Sequence, residues 1–451
     1  MEARSRGPDP ARFVTLPARG LALDVLVRVD GGAYSNLLLA SVLRDSSLDA
    51  RDRAFTTDLV YGTLRHRRTL DAALATALDR PIDALDPPVR AALRLGAYQL
   101  AAGVPPHAAV GETVAATPRR ARPLVNAVLR KLATDAPPWP VPGGDDASAI
   151  GVRLSYPDWI VERLVADLGR EEALAVLAAA NEPAPVALRP HPGRTTATAL
   201  AEELALLGAT AEPGRLGVGA VVVRGAGDLG QVPAVAEGRA TPQDEASQAV
   251  VAVLDPAPGD VVLDTCAAPG GKATAAAERV GDAGVVVAAD VHPGRLRMVR
   301  RAAHRLALAT VPTVVADGRS LPVRTGACDR VLVDAPCSGL GVLRRRPEAR
   351  WRIHPEALGE LADLQRALLR DAARALRPGG ILVYSVCTLT RDETLAVDAW
   401  AASELPELVA LAPPAEPWRG WGRGALLLPH VAGTDGMFVL RLQREPNGRG
   451  R

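Results

Sequence analysis

The sequence predicts an α plus α/β protein with an all-helical N-terminal part, a small α/β segment and a larger C-terminal α/β domain. Three observations predict this order. Apolar residues recur every three or four positions over residues 19–133, a Pro- and Gly-rich stretch follows at 136–148, and short apolar runs alternate with helical runs from residue 249 onward. At 451 residues the chain has room for two to four domains of roughly 100–200 residues each.

The N-terminal part is expected to begin with a disordered tail, because residues 1–18 are polar and contain Pro and Gly. Residues 19–135 then form the helical domain, with runs such as GLALDVLVRV and PPVRAALRLGAYQL joined at Pro or Gly. Residues 1–135 hold 19 Lys and Arg against 14 Asp and Glu, whereas the remainder holds 34 against 37. This local positive charge is compatible with a polyanion partner, and an ordinary solvated surface explains it equally well.

The middle of the chain predicts a linker over 136–148 and a small α/β segment over 149–248. In that segment a helical pattern over 157–181 is interrupted at Gly169. The runs PVALRP and GAVVVRG are predicted strands on either side of the helical run TATALAEELALLG.

The C-terminal domain is predicted over 249–443, followed by a polar tail over 444–451. Continuous apolar strands between helices indicate a doubly wound parallel sheet that is covered on both faces. The late runs GALLLPH and GMFVLRLQR are predicted to form an antiparallel hairpin at the edge of the sheet. The strand runs are 260–266, 284–290, 313–317, 329–335 and 380–386, and the helical runs are 272–280, 293–306, 357–376 and 392–403.

Polar side chains gather at the predicted strand ends, where doubly wound sheets bind their ligands. The first strand leads into the turn DTCAAPGGK, whose small residues let backbone N–H groups approach a ligand at the start of a helix. Asp290 is placed to take the two hydroxyls of a ribose, and Asp317 to reach an adenine amino group. This layout serves NAD and S-adenosylmethionine, but the G-x-G-x-x-G turn that favours NAD is absent. The strand-end residues are Asp264, Asp290, Asp317, Asp334, Cys337 and Cys387.

Composition narrows the class of protein further. Four cysteines without a C-x-x-C pair argue against a disulfide framework or a zinc site, so we expect free thiols, no metal and a cytoplasmic location. Because no apolar run approaches ~18 residues, no membrane span is expected. Only two of the 53 basic residues are lysine, and Lys272 closes the glycine turn, which favours a compact ammonium there.

Two cysteines, Cys337 in DAPCSG and Cys387 in YSVCTL, follow strands next to the expected cofactor. This arrangement fits methyl transfer to carbon 5 of a cytosine, because a thiolate that adds at carbon 6 makes carbon 5 nucleophilic. One cysteine can form the adduct and the other can assist its release, and chemistry alone does not choose between them. Asp334 is placed to bond the base edge and to protonate or orient ring nitrogen 3. Cys328 is expected to be a buried structural residue, and Cys266 a wall of the cofactor turn.

The segment RRRPEARWR, residues 344–352, follows the Cys337 loop and is called the arginine segment below. Its five arginines and its Trp suit phosphates and stacked bases, and a solvated face is the alternative interpretation. Farther along the chain, Thr390-x-x-Glu393 predicts a capping box for the next helix.

At these motifs the chain resembles the Sun (Fmu, RsmB-type) family of RNA cytosine-5 methyltransferases. The resemblance covers about residues 150–443 and implies a Rossmann-like, S-adenosylmethionine-dependent methyltransferase domain. Residues 19–133 resemble, in helical pattern and domain order, the NusB-type RNA-binding domain that bacterial rRNA members carry in front. The matching segments are TPQDEASQ, DTCAAPGGK, DAPCSGLG, RRRPEARW, LRPGGILVYSVCTL and DGMF.

The resemblance also implies roles for single residues. It assigns the nucleophile to Cys387, product release to Cys337 and a base contact to Asp334. The family often has Thr before its nucleophile, where this chain has Val386, and we do not expect this change to remove activity. The implied substrate is small-subunit (16S) rRNA, and a monomer is expected. The implied S-adenosylmethionine contacts are Cys266, Ala267, Ala268, Pro269, Gly270, Gly271, Lys272, Asp290, Asp317 and Asp334.

Three alternatives stand beside this function. An NAD-linked oxidoreductase on the same fold is disfavoured by the A-P-G-G-K turn and the paired cysteines. A non-catalytic RNA-binding factor for ribosome assembly is disfavoured by the complete set of strand-end residues. The third alternative is the same methyl-transfer chemistry on tRNA.

Overall fold

The structure is a computed structural model that describes residues 16–135 and 137–446. Most of the two expected terminal tails, and position 136 of the expected linker, therefore lie outside the described residues. The chain forms two compact units, which we call the helical unit and the sheet unit. The helical unit comprises Met1–Val165 and Leu343–Arg352, and the sheet unit comprises Ala166–Val342 and Ile353–Arg451.

The helical unit is a bundle whose helices pack around an apolar core. Aspartates begin two of its helices, since Asp49 accepts a hydrogen bond from the amide of Asp52 and Asp146 accepts one from the amide of Ala149. The core includes Leu21, Val25, Leu59, Leu95 and Leu129. The helices are α1 (Ala18–Asp30), α2 (Ser35–Arg44), α3 (Ala50–Arg65), α4 (Arg67–Ala75), α5 (Pro87–Ala101), α6 (Pro106–Ala116), α7 (Arg122–Thr134), α8 (Ala147–Leu154) and the start of α9 (Asp158–Leu168).

The arginine segment lies in the helical unit, and its central side chains are buried there. The guanidinium carbon of Arg350 lies 3.9 Å from the centre of the Tyr156 ring, and the side chain is fully buried. Glu348 is also buried and accepts hydrogen bonds from the amide and the hydroxyl of Ser35, at 3.2 and 2.7 Å. An aromatic face and hydrogen-bond partners replace water around these charges, which is the condition under which charged side chains tolerate burial.

The C-terminal end of the arginine segment is also fixed by hydrogen bonds to the helical unit. Arg352 donates to the carbonyl oxygens of Val29 and Ala33 at 2.7 and 2.6 Å, and the indole nitrogen of Trp351 donates to a third carbonyl at 3.4 Å. The prediction that the segment presents its basic side chains to RNA is therefore wrong for Arg350, which is fully buried, and it stays a prediction for Arg352, which is partly exposed. Their partners lie far away along the chain, so no local pattern in the sequence could indicate them.

Glu348→Ala is expected to destabilise this part of the helical unit by about 1–3 kcal/mol, because it leaves the buried Ser35 hydroxyl and amide without their acceptor. Hydrogen exchange of the amides in α2 and α3 measures the local opening free energy directly. Glu356→Ala is the matched control, since Glu356 is exposed and caps nothing with its side chain. Equal protection in the two variants would contradict a stabilising role for Glu348.

The sheet unit begins with a small four-stranded antiparallel sheet in the order β2-β3-β1-β4. The predicted interruption of the first helical run is confirmed, since Gly169 separates α9 from α10 with a φ of +86° that suits glycine. The strands β2 and β4 were not predicted, because they are short and half polar. The elements are α10 (Arg170–Ala179), β1 (Val186–Pro190), α11 (Ala197–Leu206), β2 (Thr210–Pro213), β3 (Val221–Arg224), α12 (Pro233–Ala236) and β4 (Ala240–Pro242).

The larger sheet of this unit has nine strands, five of them parallel as predicted. The elements are α13 (Glu245–Leu254), β5 (Val261–Asp264), α14 (Gly271–Val280), β6 (Val285–Asp290), α15 (Pro293–Arg305), β7 (Thr313–Val315), β8 (Cys328–Asp334), α16 (Ala357–Ala375), β9 (Leu376–Val386), α17 (Leu395–Glu404), β10 (Leu408–Ala410), β11 (Arg419–Trp421), β12 (Gly424–Leu427), α18 (Pro429–Ala432) and β13 (Met437–Arg444). Their order is β11-β12-β13-β9-β8-β5-β6-β7, with β10 also paired to β13.

The predicted hairpin is correct in its pairing and extends the parallel strands on one side, but β11 rather than the hairpin is the outermost strand there. β12 and β13 pair antiparallel, but β13 also pairs with β9 over six residues and so lies inside the sheet. The order in which the chain adds parallel strands reverses at β5, which has β6 on one side and β8 on the other. Such a switch point leaves a crevice at the carboxyl ends of the strands, where this fold class binds ligands.

Candidate active site

The turn after β5 occupies the switch point. Gly270 has a φ of +110° and begins α14, and a Cβ at this position would lie 3.0 Å from the Cα of Val299, so the turn requires glycine there. Arg189 of β1 fixes the start of the helix, because it donates to the carbonyl of Gly271 at 2.9 Å and forms a bidentate pair with Glu278. The first amides of α14 are thus held in place, without intrahelical partners, at the carboxyl edge of the sheet.

The next two strand ends carry the predicted ribose and adenine contacts. Asp290 is buried and accepts from the amides of His292 and Ala268 at 2.8 and 3.3 Å, which joins the end of β6 to the glycine turn. Asp317 follows β7 and is partly exposed, with the Arg319 guanidinium at 2.6 Å. Hydrogen bonds from Arg319 lower the pKa of Asp317 to about 2, so this carboxylate is ionised at neutral pH. Whether either side chain contacts a cofactor stays a prediction.

Asp264, the last residue of β5, is the most strongly perturbed carboxyl of the crevice. One oxygen accepts from the amide of Cys266 at 3.4 Å, and the other is buried with no hydrogen-bond partner among the described residues. Burial and, next, the neighbouring Asp334 raise the pKa of Asp264 to about 8. A buried carboxylate oxygen without a partner fits a ligand that brings a cationic amino group, as S-adenosylmethionine does.

Asp264→Asn is expected to make the stability of the cofactor-free protein less dependent on pH. The wild-type pKa rises on folding from 3.8 to about 8, so ionising Asp264 between these values favours the unfolded chain. Wild-type stability should therefore fall as pH rises from 5.5 to 8, by at most about 1.4 kcal/mol per pH unit from this group. Urea unfolding at the two pH values measures the difference.

Asp317→Asn is the control for that experiment. The pKa of Asp317 is lowered, so its contribution to stability is present above the unfolded value of 3.8 and is lost only as pH falls toward 2. The control should keep the wild-type pH dependence between 5.5 and 8. If Asp264→Asn also kept the wild-type pH dependence of stability, the titrating group responsible for that dependence would not be Asp264.

The two cysteines at the neighbouring strand ends come together. β8 and β9 pair in parallel with Asp334 opposite Ser385, so the loops that follow them start side by side. The sulfur atoms of Cys337 and Cys387 lie 3.2 Å apart. The hydrogen bond to Cys387, followed by burial, raises the pKa of Cys337 well above its usual range. Cys337 therefore keeps its proton at neutral pH, and the two sulfur atoms are within hydrogen-bond distance of each other.

A partly buried ion pair lies beside the sulfur atoms. Lys272 donates to one oxygen of Asp334 at 2.7 Å, and the hydroxyl of Ser385 donates to the other at 2.8 Å. Burial alone would lower the pKa of Lys272, but Asp334 and, more weakly, Cys387 and Asp264 raise it above its usual value. The structure thus places a permanent cation beside Cys387, and a cation of this kind stabilises a thiolate.

Glu393 is a site residue that the sequence pattern did not indicate. It is fully buried and accepts from the amide and hydroxyl of Ser338 at 2.8 and 2.5 Å and from the hydroxyl of Thr390 at 3.0 Å. The predicted capping box is therefore wrong, since the following helix begins at Leu395 with Thr394 at its N-cap. The sequence does show a Glu six residues after Cys387, but together with Thr390 this Glu forms the pattern that is typical of a helix start.

The other cysteines lie where the sequence suggested. Cys328 is the first residue of β8 and is buried, and burial raises its pKa to about 11. Cys266 lies in the glycine turn, and burial raises its pKa to about 12, so it remains a neutral thiol. In the part of the chain that the structure describes, no helix is long and apolar enough to cross a membrane. No cluster of three or more potential metal ligands is found in that part either.

Comparison with known proteins places the chain in a family. A model described as 16S rRNA methyltransferase RsmB/F matches residues 251–443, one for the NusB family matches 16–134, and one for an RsmF/B-like ferredoxin-like domain matches 156–229. The chain is 32% identical to the probable ribosomal RNA small subunit methyltransferase B of Bacillus subtilis, over 95% of this chain and 98% of that protein. This chain belongs to the RsmB/F methyltransferase family.

Two further relatives agree with membership of the RsmB/F family. Identity is 36% to the ribosomal RNA small subunit methyltransferase B of Thermus thermophilus, over 94% of this chain and 97% of that one. The crystal structure of PH0851 matches with a TM-score of 0.83 at 25% identity, over 96% of this chain and 100% of that one. The fold is thus a NusB helical domain followed by a Rossmann-like methyltransferase domain. The cofactor is S-adenosylmethionine, and membership of a methyltransferase family disfavours the NAD-linked alternative.

Proposed function

We propose that this protein transfers a methyl group from S-adenosylmethionine to carbon 5 of a cytosine in small-subunit (16S) rRNA, through a covalent adduct with Cys387. The observation that carries the proposal is the pair of sulfur atoms 3.2 Å apart, beside Lys272 and next to the cofactor crevice. The names of the relatives support the choice of RNA, since they are small-subunit methyltransferases. We also assign RNA affinity to the NusB-like residues 19–135.

The cofactor fits the residues at the switch point. The amides that begin α14 suit its carboxylate, the free oxygen of Asp264 suits its amino group, and Asp290 suits its ribose. Bound there, S-adenosylmethionine supplies a methyl group on a positively charged sulfur. Gly270 and Gly271 keep the turn free of side chains, so backbone amides can approach the ligand.

Cys387 is the better nucleophile of the pair. We assign the attack to Cys387, because the raised pKa keeps Cys337 protonated and the Lys272 cation next to Cys387 can stabilise an anionic sulfur there. Its attack forms a bond between sulfur and carbon 6 of the base, and the electron pair of the C5–C6 double bond becomes available at carbon 5. Asp334, as the ion-pair partner of Lys272, accepts a hydrogen bond from the amino group of the cytosine.

Release of the product uses the second cysteine. Once Cys387 is a thioether it carries no charge, so the largest cause of the raised pKa of Cys337, its hydrogen bond to Cys387, is removed. Cys337 then releases its own proton to solvent, and the resulting thiolate takes the proton on carbon 5. The C–H electron pair restores the C5–C6 double bond, the C6–S bond breaks, and Cys387 leaves as a thiolate.

The experiment is methyl transfer from labelled S-adenosylmethionine to unmodified small-subunit rRNA, with nucleoside analysis of the product. Label in 5-methylcytidine is the expected result. Label on tRNA but not on rRNA would retain the chemistry and overturn the substrate. Binding of cofactor and rRNA, with no label on naked rRNA or on small-subunit particles, would favour the non-catalytic assembly role.

A further inference from the structure

Glu393 lies between the two cysteine loops and bonds to both. Its carboxylate accepts from the amide and hydroxyl of Ser338, the residue after Cys337, and from the hydroxyl of Thr390, three residues after Cys387. The hydroxyl groups of Ser338 and Thr388 lie 2.7 Å apart and join the loops a second time. A fully buried carboxylate with this many donors is held in one position, and it fixes its donors in turn.

A second layer of side chains supports the same loop. Gln365 of α16 donates to Glu393 at 3.1 Å and to the carbonyl of Pro336, the residue before Cys337, at 2.9 Å. The Tyr384 hydroxyl lies 2.9 Å from the Gln365 side-chain oxygen, to which it donates, and 2.7 Å from the Glu393 carbonyl. The backbone on both sides of Cys337 is thereby tied to Glu393, directly or through one glutamine.

The two cysteines depend on this network unequally. Cys387 directly follows β9, which pairs with β8 and β13, and its carbonyl accepts from the amide of Gly341 at 2.9 Å. Cys337 lies in an irregular loop, where Gln365 donates to the carbonyl of Pro336 and the amide of Ser338 donates to Glu393. Loss of the Glu393 carboxylate should therefore displace Cys337 more than Cys387.

We propose that Glu393 is a positioning residue that holds Cys337 against Cys387, so its carboxylate is needed for release of the methylated RNA more than for formation of the adduct. The inference rests on the proposed function for its kinetic consequence, and its geometric part stands independently. The step at issue is the one in which Cys337 removes the proton on carbon 5, the C5–C6 double bond re-forms and the bond from Cys387 to carbon 6 breaks. A displaced Cys337 leaves the adduct intact.

The kinetic test compares wild type with Glu393→Gln, which keeps the size of the side chain and removes its charge. We expect one rapid methyl transfer per enzyme, followed by turnover slowed by on the order of 10²-fold, the effect of roughly 1 Å of misplacement. KM for RNA should stay within about threefold, because the residue does not touch bound RNA in this scheme. A covalent protein–RNA band should accumulate on a denaturing gel, which a merely structural defect would not produce.

Two further variants complete the comparison. Ser338→Ala removes one of the hydrogen-bond donors to Glu393 and should show the same pattern, more weakly. Glu356→Ala, at an exposed glutamate of the same unit, should behave as wild type. If the first transfer in Glu393→Gln slowed as much as turnover and no adduct formed, or if turnover were normal, the inference would be overturned.

A chemical measurement separates this inference from the proposed function. Diamide accepts two electrons and two protons from a pair of adjacent thiols and leaves a disulfide, so its reaction with the Cys337–Cys387 pair reports their spacing without RNA or cofactor. Formation of the Cys337–Cys387 disulfide should be at least about tenfold slower in Glu393→Gln than in wild type, as expected if the sulfur atoms no longer face each other. If the wild-type protein methylated no RNA but the rate of disulfide formation still depended on Glu393, the positioning role of Glu393 would be supported and the proposed function would be contradicted. Equal rates of disulfide formation would overturn the positioning.

Discussion

Replacing Cys387 with alanine is expected to lower methyl transfer to rRNA by on the order of 10⁴-fold or more, because the proposed nucleophile that bonds to carbon 6 is lost. Cofactor affinity should not change, since the thiol lies outside the glycine turn that we propose binds S-adenosylmethionine. Single-turnover transfer of label and calorimetric binding of the cofactor measure the two quantities separately.

The control for this variant is Cys328→Ala. Cys328 is buried at the start of β8, whereas the active cysteines follow the ends of β8 and β9, so transfer should continue in the control. Substantial methylation by Cys387→Ala would show that the nucleophile is a different residue and would contradict the mechanism.

Replacing Cys337 with alanine is expected to give the opposite phenotype: one methyl transfer and then a stable protein–RNA adduct. Attack by Cys387 does not need Cys337 to form a bond, but release needs a base that removes the proton on carbon 5. Steady-state turnover should fall by on the order of 10²–10⁴-fold, the range of general base catalysis. A denaturing gel with labelled RNA shows the adduct as a shifted band.

The double variant Cys337→Ala/Cys387→Ala identifies the residue that carries the RNA. It should show no adduct, because the nucleophile is gone. An adduct in Cys387→Ala that disappears in the double variant would reverse the two assignments. Normal turnover in Cys337→Ala would mean that another base releases the product.

The parallel sheet could be predicted because each of its strands is a continuous apolar run with helices on both sides. The interior position of β13 could not. Its run GMFVLRLQR is as compatible with an edge strand as with a central one, and its pairing with β9 joins segments about 55 residues apart. Similarly, β2 and β4 are short and half polar, so they carry no strand periodicity.

The same distinction between local patterns and distant partners applies to the functional residues. The residues at strand ends could be placed together from the sequence, because parallel strands bring their carboxyl ends to one edge. Glu393 and Arg350 could not, because the partners that bury them lie in distant segments: Ser338 for the first, Tyr156 for the second. The sequence shows each of them only as a charge, and a charge is ordinarily read as exposed.

The burial of the arginine segment in the helical unit has a consequence for dissecting this protein. A Pro- and Gly-rich linker invites a cut between two modules, each to be produced alone. A fragment starting after the linker would carry Glu348 without Ser35 and Arg352 without Val29 and Ala33, and a fragment ending before it would lack the arginine segment that these residues contact. The helical unit is built from two separate stretches of the sequence, so a cut at the linker divides it and leaves neither fragment with a complete helical unit.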